Sequence, residues 1–227
     1  MRELPMFPLG SVLLPTMGLP LRVFEPRYRA LVEHCLESDT PEFGVVLIAR
    51  GSEVGGGDVR NSIGCVASMI EVGRSPDGRY SVMSVGISRF EVIEWLDEVT
   101  YPRALVEDIE DPQTDPEAPT RIDGCTVREL HETNVVLMRR CLAIMSELGR
   151  MVPPATAELS EDVATAIYQC CVLAPLGPAD KYRLLCAPSA IARAELLHDL
   201  LADQRAVLQF ELGDLGGGPG ELDPNDE

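Results

Sequence analysis

The chain has 227 residues and a hydrophobic fraction of 45%, which is enough to build one or two cores. Its formal net charge is −18. So acidic a surface repels phosphate backbones, which argues against sequence-independent nucleic-acid binding, and solubility is the simpler explanation of the acidity. No apolar run reaches the ~18 residues that span a bilayer. Because Pro5 and Pro8 also interrupt the place where a signal peptide has its apolar centre, we expect a soluble, cytoplasmic protein.

The opening stretch combines proline punctuation with a helical pattern. Pro8, Pro15, Pro20 and Pro26 predict in turn a strand, a turn, an edge strand and the start of a helix. Proline suits the first helical position because the helix has no partner for an N–H there, and Glu25 places negative charge at the positive end of the helix dipole. We therefore expect the first helix to begin at Pro26.

The middle of the chain has the composition of short strands. An Asp-Gly pair within residues 75–79 lies between two β-rich runs and predicts a hairpin, and the slipped phase near Gly86 suggests a bulge. Three consecutive glycines, 55–57, predict a flexible loop. The predicted strands in this region are 43–49, 63–72, 80–95 and 104–109. Six or so strands with one early helix favour a closed or half-closed antiparallel sheet, since closure removes exposed edges.

The apolar period changes from 2 to 3.6 after residues 111–120, a predicted linker with three prolines and three acids. The predicted helices are 127–148, one that opens at 160–162, 178–186 and 188–209. In the last of these, the residues expected to point inward are Ile191, Ala194, Leu197, Leu201 and Leu208, and those expected to point outward are Arg193, Glu195, Asp199 and Arg205. The predicted parts are thus a strand-rich subdomain, a helical bundle and a disordered acidic tail, at residues 1–111, 121–212 and 213–227.

Cysteine and histidine patterns support no disulfide framework, metal site or cofactor. The seven cysteines include no CxxC pair, and the three histidines, His34, His131 and His198, lie on separate predicted segments. Cys170 and Cys171 could form a redox pair, but neighbours on a helix point about 100° apart. We therefore expect most cysteines to be small buried apolar residues.

No catalytic machinery stands out either. Lys181, the only lysine, lies between Asp180 and Tyr182 rather than in the Gly-Lys-Ser/Thr sequence of a P-loop, and we expect it to be solvated. A hydrolase that pairs a cysteine with a histidine stays open, although no nucleophile motif surrounds any cysteine. The sequence therefore predicts a protein that is not an enzyme, and no catalytic residue is assigned.

Three ordered motifs near the N-terminus resemble the opening of the Lon protease N-terminal (substrate-binding) domain family. They are Leu4-Pro5-Met6-Phe7-Pro8-Leu9, Val12-Leu13-Leu14-Pro15 and Leu19-Pro20-Leu21-Arg22-Val23-Phe24-Glu25-Pro26-Arg27-Tyr28-Arg29. Thr16 stands where the family usually has glycine, so we expect the turn after Pro15 to differ in detail. The resemblance implies an α+β fold in which a PUA-like antiparallel β pseudo-barrel with an early helix precedes a C-terminal helical bundle.

The resemblance also implies a function. The chain would be a stand-alone, non-catalytic polypeptide-binding module for protein quality control, without ATPase or protease domains. Its partners would be unfolded or apolar polypeptide segments and a separate ATP-dependent protease, not nucleic acid or a membrane, and it would be a monomer or a homodimer. Two alternatives stay open: an RNA-associated PUA-like protein, which would need a basic face, and the Cys/His hydrolase.

An apolar groove for an extended peptide is the predicted binding site, because a sheet edge with alternate side-chain pockets recognises such a ligand. The residues assigned to it are Met17, Leu19, Phe24, Arg27, Tyr28 and Arg89. A structural interpretation competes with this one. It places the apolar members in the core and uses the charged ones to tie the first helix to a neighbouring strand.

Overall fold

The computed structural model describes residues 1–50, 59–97, 100–153 and 157–216, which contain six strands and five helices. The strands are β1 Arg2–Leu9, β2 Gly18–Val23, β3 Glu42–Arg50, β4 Val59–Arg74, β5 Tyr80–Trp95 and β6 Arg103–Ile109. The helices are α1 Pro26–Leu36, α2 Val127–Glu147, α3 Val163–Leu173, α4 Pro178–Cys186 and α5 Ala190–Gly216. The predicted strands and helices are all present, β5 and α4 with the predicted bounds and most of the others with shifted ends. The predicted glycine loop 55–57 lies outside the described residues.

Five strands close into a barrel, and β2 is added to it as an edge strand. The order around the barrel is β5-β4-β3-β1-β6 and back to β5, and β2 is the neighbour of β5 at the end of the sheet. β5 serves both partners because its first half pairs with β2 and its second half with β6. All pairings are antiparallel except that of β1 with β3. A parallel pair needs a crossover, which β2 and α1 supply here.

The predicted bulge lies at Gly86 in β5, where Ile87 is left without a partner in β4. A Cβ at Gly86 would collide with the carbonyl oxygen of Leu14. The carbonyl of Gly86 accepts a hydrogen bond from the N–H of Thr16 at 2.7 Å, and the N–H of Gly86 donates to the Met17 carbonyl at 2.9 Å. The bulge glycine therefore holds the turn that leads into β2.

Thr16 in that turn has a φ of 70°, in the left-handed region that favours glycine. Its hydroxyl oxygen is buried and has no hydrogen-bond partner within the described structure. The threonine thus adopts the backbone conformation that suits the glycine usual at this place.

The helices pack against the barrel through a shared core. Thr126 and Glu129 form a capping box that begins α2, and α2 packs along α5, where the Asn134 side-chain amide donates to the Ala194 carbonyl at 2.8 Å. One continuous cluster of buried apolar side chains includes strand residues such as Phe7 and helix residues such as Leu201. No helix in the described ranges is both long and apolar enough to cross a membrane.

Four side chains expected to point into solvent are buried or half-buried, so those predictions are wrong; Arg205 of α5 is one of the half-buried ones. Arg193 of α5 is 0% exposed, and Glu195 is buried with its carboxylate accepting from the Arg121 N–H at 2.8 Å. Lys181 of α4 is half-buried and donates to the Val172 carbonyl at 3.0 Å. The partners come from other segments, which the periodicity of a single helix does not reveal. In addition, α5 continues to Gly216, so the first residues of the expected tail are helical, and residues 217–227 lie outside the described part.

Candidate functional site

Strand β2 presents a free edge next to an aromatic cluster. The Met17 carbonyl faces β5, so strand alternation places the backbone groups of Gly18, Pro20 and Arg22 on the opposite, free edge. Pro20 therefore occupies the kind of position in which an edge strand tolerates proline. The edge offers the carbonyls of all three residues but the N–H groups of only Gly18 and Arg22.

The start of α1 places three predicted site residues beside this edge. Pro26 lies in the first turn of the helix and Glu25 before it is extended, with no side-chain cap. Phe24, just before them, is 57% exposed, whereas Tyr28 is buried, with its ring stacked on that of Phe7 at a centroid distance of 4.0 Å. The guanidinium of Arg27 lies over the Tyr28 ring at 4.5 Å and pairs with the Glu25 carboxylate at 3.1 Å.

A cavity of about 220 Å³ opens beside the stacked rings. Its lining residues are Phe7, Leu9, Pro20, Leu21, Arg22, Val23, Phe24, Glu25 and Tyr28. Seven of the nine are apolar or aromatic, and neither of the two charged residues is buried. Because drug-sized ligands occupy roughly 300–1,000 Å³, a cavity of this size suits one aliphatic or aromatic side chain.

A second cavity, of about 460 Å³, lies on the outer face of the sheet. Its lining residues are Pro20, Leu21, Arg22, Glu71, Ser81, Val82 and Met83. Cross-strand register explains the set, since Pro20 pairs with Met83 and Met83 with Glu71. Residues 20–22 line both cavities, so the two form one surface along β2, which we call the β2 groove.

The predicted apolar site residues divide between the groove and the core. Phe24 and Tyr28 line the smaller cavity, whereas Leu19 is buried in the core and Met17 is half-buried and lines neither cavity. Of the residues that sequence reasoning missed, Leu21 could have been found from its place in the edge strand. Phe7, Leu9 and Met83 come from other strands and carry no local signal.

Arg89 lies outside the β2 groove, at the joint between the barrel and the helices. Its side chain is 2% exposed, and its guanidinium donates to the carbonyls of Leu185 and Ala187, both at 2.8 Å. It also pairs with the Asp111 carboxylate at 2.5 Å. These carbonyls end α4, where a cation is favoured by the helix dipole, so Arg89 fastens the helical part to β5.

Sequence reasoning missed the rest of this joint. The Asp111 carboxylate also pairs with Arg193 at 3.1 Å and accepts a hydrogen bond from the Tyr168 hydroxyl at 2.7 Å. Burial raises the pKa of Tyr168, and the hydrogen bond to Asp111 acts in the same direction. These effects outweigh the positive charge of Arg193, whose guanidinium lies over the ring at 3.9 Å and lowers the pKa. The sequence predicts a linker at Asp111, and nothing in its local sequence distinguishes it from a solvated acid.

The largest of the described cavities, of about 570 Å³, lies over this joint. Its charged lining residues are Arg2, Arg89, Asp108, Glu110 and Asp111. Several of them already pair with each other, including Arg2 with Asp108 at 3.2 Å. Because both arginines of this cavity already pair with carboxylates, it has less to offer a ligand than the apolar β2 groove, and we take the groove as the candidate site.

The described residues show no constellation for thiol or metal catalysis. His34 and Cys35 share a cavity of about 190 Å³, but the Cys35 thiol donates to the Glu42 carbonyl at 3.2 Å, and burial raises its pKa to about 12. In the described ranges, no cysteine is within hydrogen-bond distance of a histidine, and no three His, Cys, Asp or Glu side chains could hold one metal ion. A thiol with so high a pKa is a poor nucleophile, which argues against the Cys/His hydrolase.

Comparison with known proteins connects most of the described fold to one family. A profile described as the ATP-dependent protease La (LON) substrate-binding domain matches residues 3–203. A Lon protease of Anaeromyxobacter dehalogenans is 28% identical over 91% of this chain, and Lon protease 2 of Myxococcus xanthus is 27% identical over the same share. The chain spans 24% of the length of each of these two relatives.

Solved structures agree with the sequence relatives. A Lon N-terminal domain protein from Xanthomonas campestris is 26% identical and superposes with a TM-score of 0.62, covering 87% of this chain and 97% of that one. The N-terminal domain of the Mycobacterium avium complex Lon protease, at 18% identity, superposes with a TM-score of 0.58 over 89% of this chain and 99% of that one. The second match shows a shared fold. Together they confirm the predicted α+β architecture.

Proposed function

Because the chain belongs to the family of the LON substrate-binding domain, we propose that it binds unfolded or apolar polypeptide segments, without catalysis of its own, and that it binds them in the β2 groove. The observation that carries the proposal is a mostly apolar cavity beside the free edge of a strand. These are the two parts that recognition of an extended peptide requires. The Lon relatives, named as proteases, motivate the polypeptide as ligand.

Binding would proceed by addition of a short strand to β2. The free edge supplies three carbonyls and two N–H groups, and the missing N–H of Pro20 limits the ladder to a few bonds. Side-chain burial then has to provide most of the affinity. Full burial of one aliphatic or aromatic side chain contributes about 1.5–3 kcal/mol, so we expect weak, micromolar to millimolar binding with little sequence specificity.

The proposal extends to a partner and a place. A module that binds a polypeptide without cleaving it must pass it on, and a separate ATP-dependent protease is the partner that the Lon relatives suggest. We propose that this takes place in the cytoplasm, where unfolded chains and such proteases would meet.

The test compares two exposed phenylalanines by fluorescence anisotropy with labelled apolar peptides. Phe24→Ala removes a wall of the groove, whereas Phe210→Ala removes a side chain that is 71% exposed on α5 and lines neither cavity of the groove. We expect Phe24→Ala to weaken binding at least about 5-fold and Phe210→Ala to leave it unchanged. Both residues are exposed, so both variants should fold.

Two results would contradict the proposal. One is no binding of any unfolded or apolar polypeptide at high micromolar protein in isothermal titration. The other is an equal loss of affinity in both variants, which would mean that binding is non-specific or occurs elsewhere.

A further inference from the structure

The β2 groove has an unusual charge environment for so acidic a chain. Near its α1 end, arginines project from β2, from α1 and from the hairpin between β4 and β5. They are Arg22, Arg27, Arg29, Arg74 and Arg79. The whole chain has 19 basic and 37 acidic residues, so a local cluster of arginines runs against the composition.

Nearby carboxylates neutralise three of the five arginines. Arg27 pairs with Glu25 at 3.1 Å, and Arg79 pairs with Asp77 at 3.1 Å. The Arg74 guanidinium lies 3.9 Å from the carboxylate of Glu33, and the same carboxylate accepts a hydrogen bond from the Tyr80 hydroxyl at 2.9 Å. These three pairs contribute little net charge to the groove.

Arg22 and Arg29 have no carboxylate partner within the described structure. Arg22 is exposed and lines both cavities of the groove. The Arg29 guanidinium lies against the hairpin, close to the Cα of Gly78. The remaining acid of the groove, Glu71, is on β4, across β5 from Pro20. The end of the groove beside Phe24 is therefore positive, and the β4 end is negative.

From this arrangement we infer that the β2 groove selects polypeptide segments in which an acidic side chain adjoins the apolar anchor. This inference rests on the proposed function and specifies its substrate class. An apolar side chain occupies the smaller cavity, and a neighbouring carboxylate lies near Arg22 and Arg29. The net negative charge of the chain does not prevent this, because at physiological ionic strength charges beyond about 8 Å are largely screened.

The experiment uses the full chain and three short peptides that share one central phenylalanine and differ only in their flanks, which are glutamate, glutamine or lysine. We expect the glutamate peptide to bind about 3- to 10-fold tighter than the glutamine peptide, as two exposed ion pairs allow, and the lysine peptide to bind weakest. The preference should disappear in the double variant Arg22→Gln/Arg29→Gln and at about 0.5 M salt, where the Debye length is a few ångströms. The glutamate and glutamine peptides are compared within each variant, so any general change in affinity caused by replacing Arg22 cancels in the ratio.

A second double variant, Arg128→Gln/Arg150→Gln, is the matched control. It removes the same charge from exposed arginines that pair with Glu117 and Glu211, away from the groove. Retention of the preference in this control supports the inference, and its loss would overturn it by assigning the effect to net charge. Equal binding of the three peptides, or tighter binding of the lysine peptide, would also overturn it.

The outcomes separate the inference from the proposed function. Peptides that bind with dependence on Phe24 but without a charge preference leave the proposed function standing and refute only the inference. If no peptide binds at all, both fail. A single-stranded RNA oligonucleotide that displaces the glutamate peptide in a salt-dependent way would overturn the inference by assigning the arginines to phosphate groups.

Discussion

Replacing Thr16 with glycine should stabilise this protein, although most substitutions at partly buried positions destabilise. Thr16 has a φ of 70°, and a left-handed backbone costs a residue with a side chain about 1–2 kcal/mol. Its buried hydroxyl has no partner within the described structure, a loss of about 1–3 kcal/mol. The greater freedom of glycine in the unfolded chain opposes these gains by about 0.5–1 kcal/mol. We expect a net gain of about 2 kcal/mol, or a rise in Tm of roughly 4–8 °C for a chain of this length.

Urea unfolding followed by the fluorescence of Trp95, the only tryptophan, measures this free energy. Thr16→Ala is the matched control, because it removes the hydroxyl and keeps the Cβ. Its gain should be about 1 kcal/mol, from the hydroxyl alone. The hydrogen bond from residue 16 to the Gly86 carbonyl is made by the backbone and persists in both variants. If the glycine variant is no more stable than the alanine variant, the left-handed conformation is not costly and the reasoning fails.

Three further predictions concern the joint, a half-buried histidine and the two parts of the chain. Arg89→Met should destabilise by about 3 kcal/mol, because the Leu185 carbonyl loses its side-chain donor and the Asp111 carboxylate loses one of its two arginine partners. Arg103→Met, at an exposed ion pair, should cost less than about 1 kcal/mol, and similar urea midpoints for the two variants would refute this role of Arg89. Burial lowers the pKa of His131, so as the pH is lowered below about 6.5 the unfolded chain binds a proton that the folded chain does not, and the free energy of unfolding decreases. His131→Gln should flatten this dependence of stability on pH. An unchanged dependence would mean that other groups cause it. We propose that residues 1–111 form a subdomain that depends on the helices, so the isolated fragment should lack a cooperative transition in circular dichroism, and a sharp transition would contradict this.

Much of the fold could be predicted because local rules decide it. The Asp-Gly hairpin, the bulge at Gly86 and the helix start at Pro26 each depend on residues a few positions apart. Closure of the barrel followed from the number of strands and the cost of open edges. The parallel pairing of β1 with β3 was not predicted, since it depends on where the crossover through β2 and α1 returns the chain.

The candidate site was predicted only in part, for the same reason. Phe24 and Tyr28 belong to a motif that can be recognised in the sequence, and the structure places both at one cavity. The sequence prediction assigns Arg89 to the same site, yet the structure buries it against carbonyls more than ninety residues away in the chain. Residue type alone does not distinguish an arginine that binds a ligand from one that ends a helix.

The sequence by itself determined the order of strands and helices, the turns between them and the family, because proline, glycine and apolar periodicity act over short distances. Tertiary structure alone decided which charges are buried and which face the groove. Arg193 is fully buried because Asp111 and the end of α4 meet it there, whereas Arg22 stays exposed because β2 is the last strand of its sheet. Burial of a charge depends on partners that folding brings together, and no window along the chain contains them.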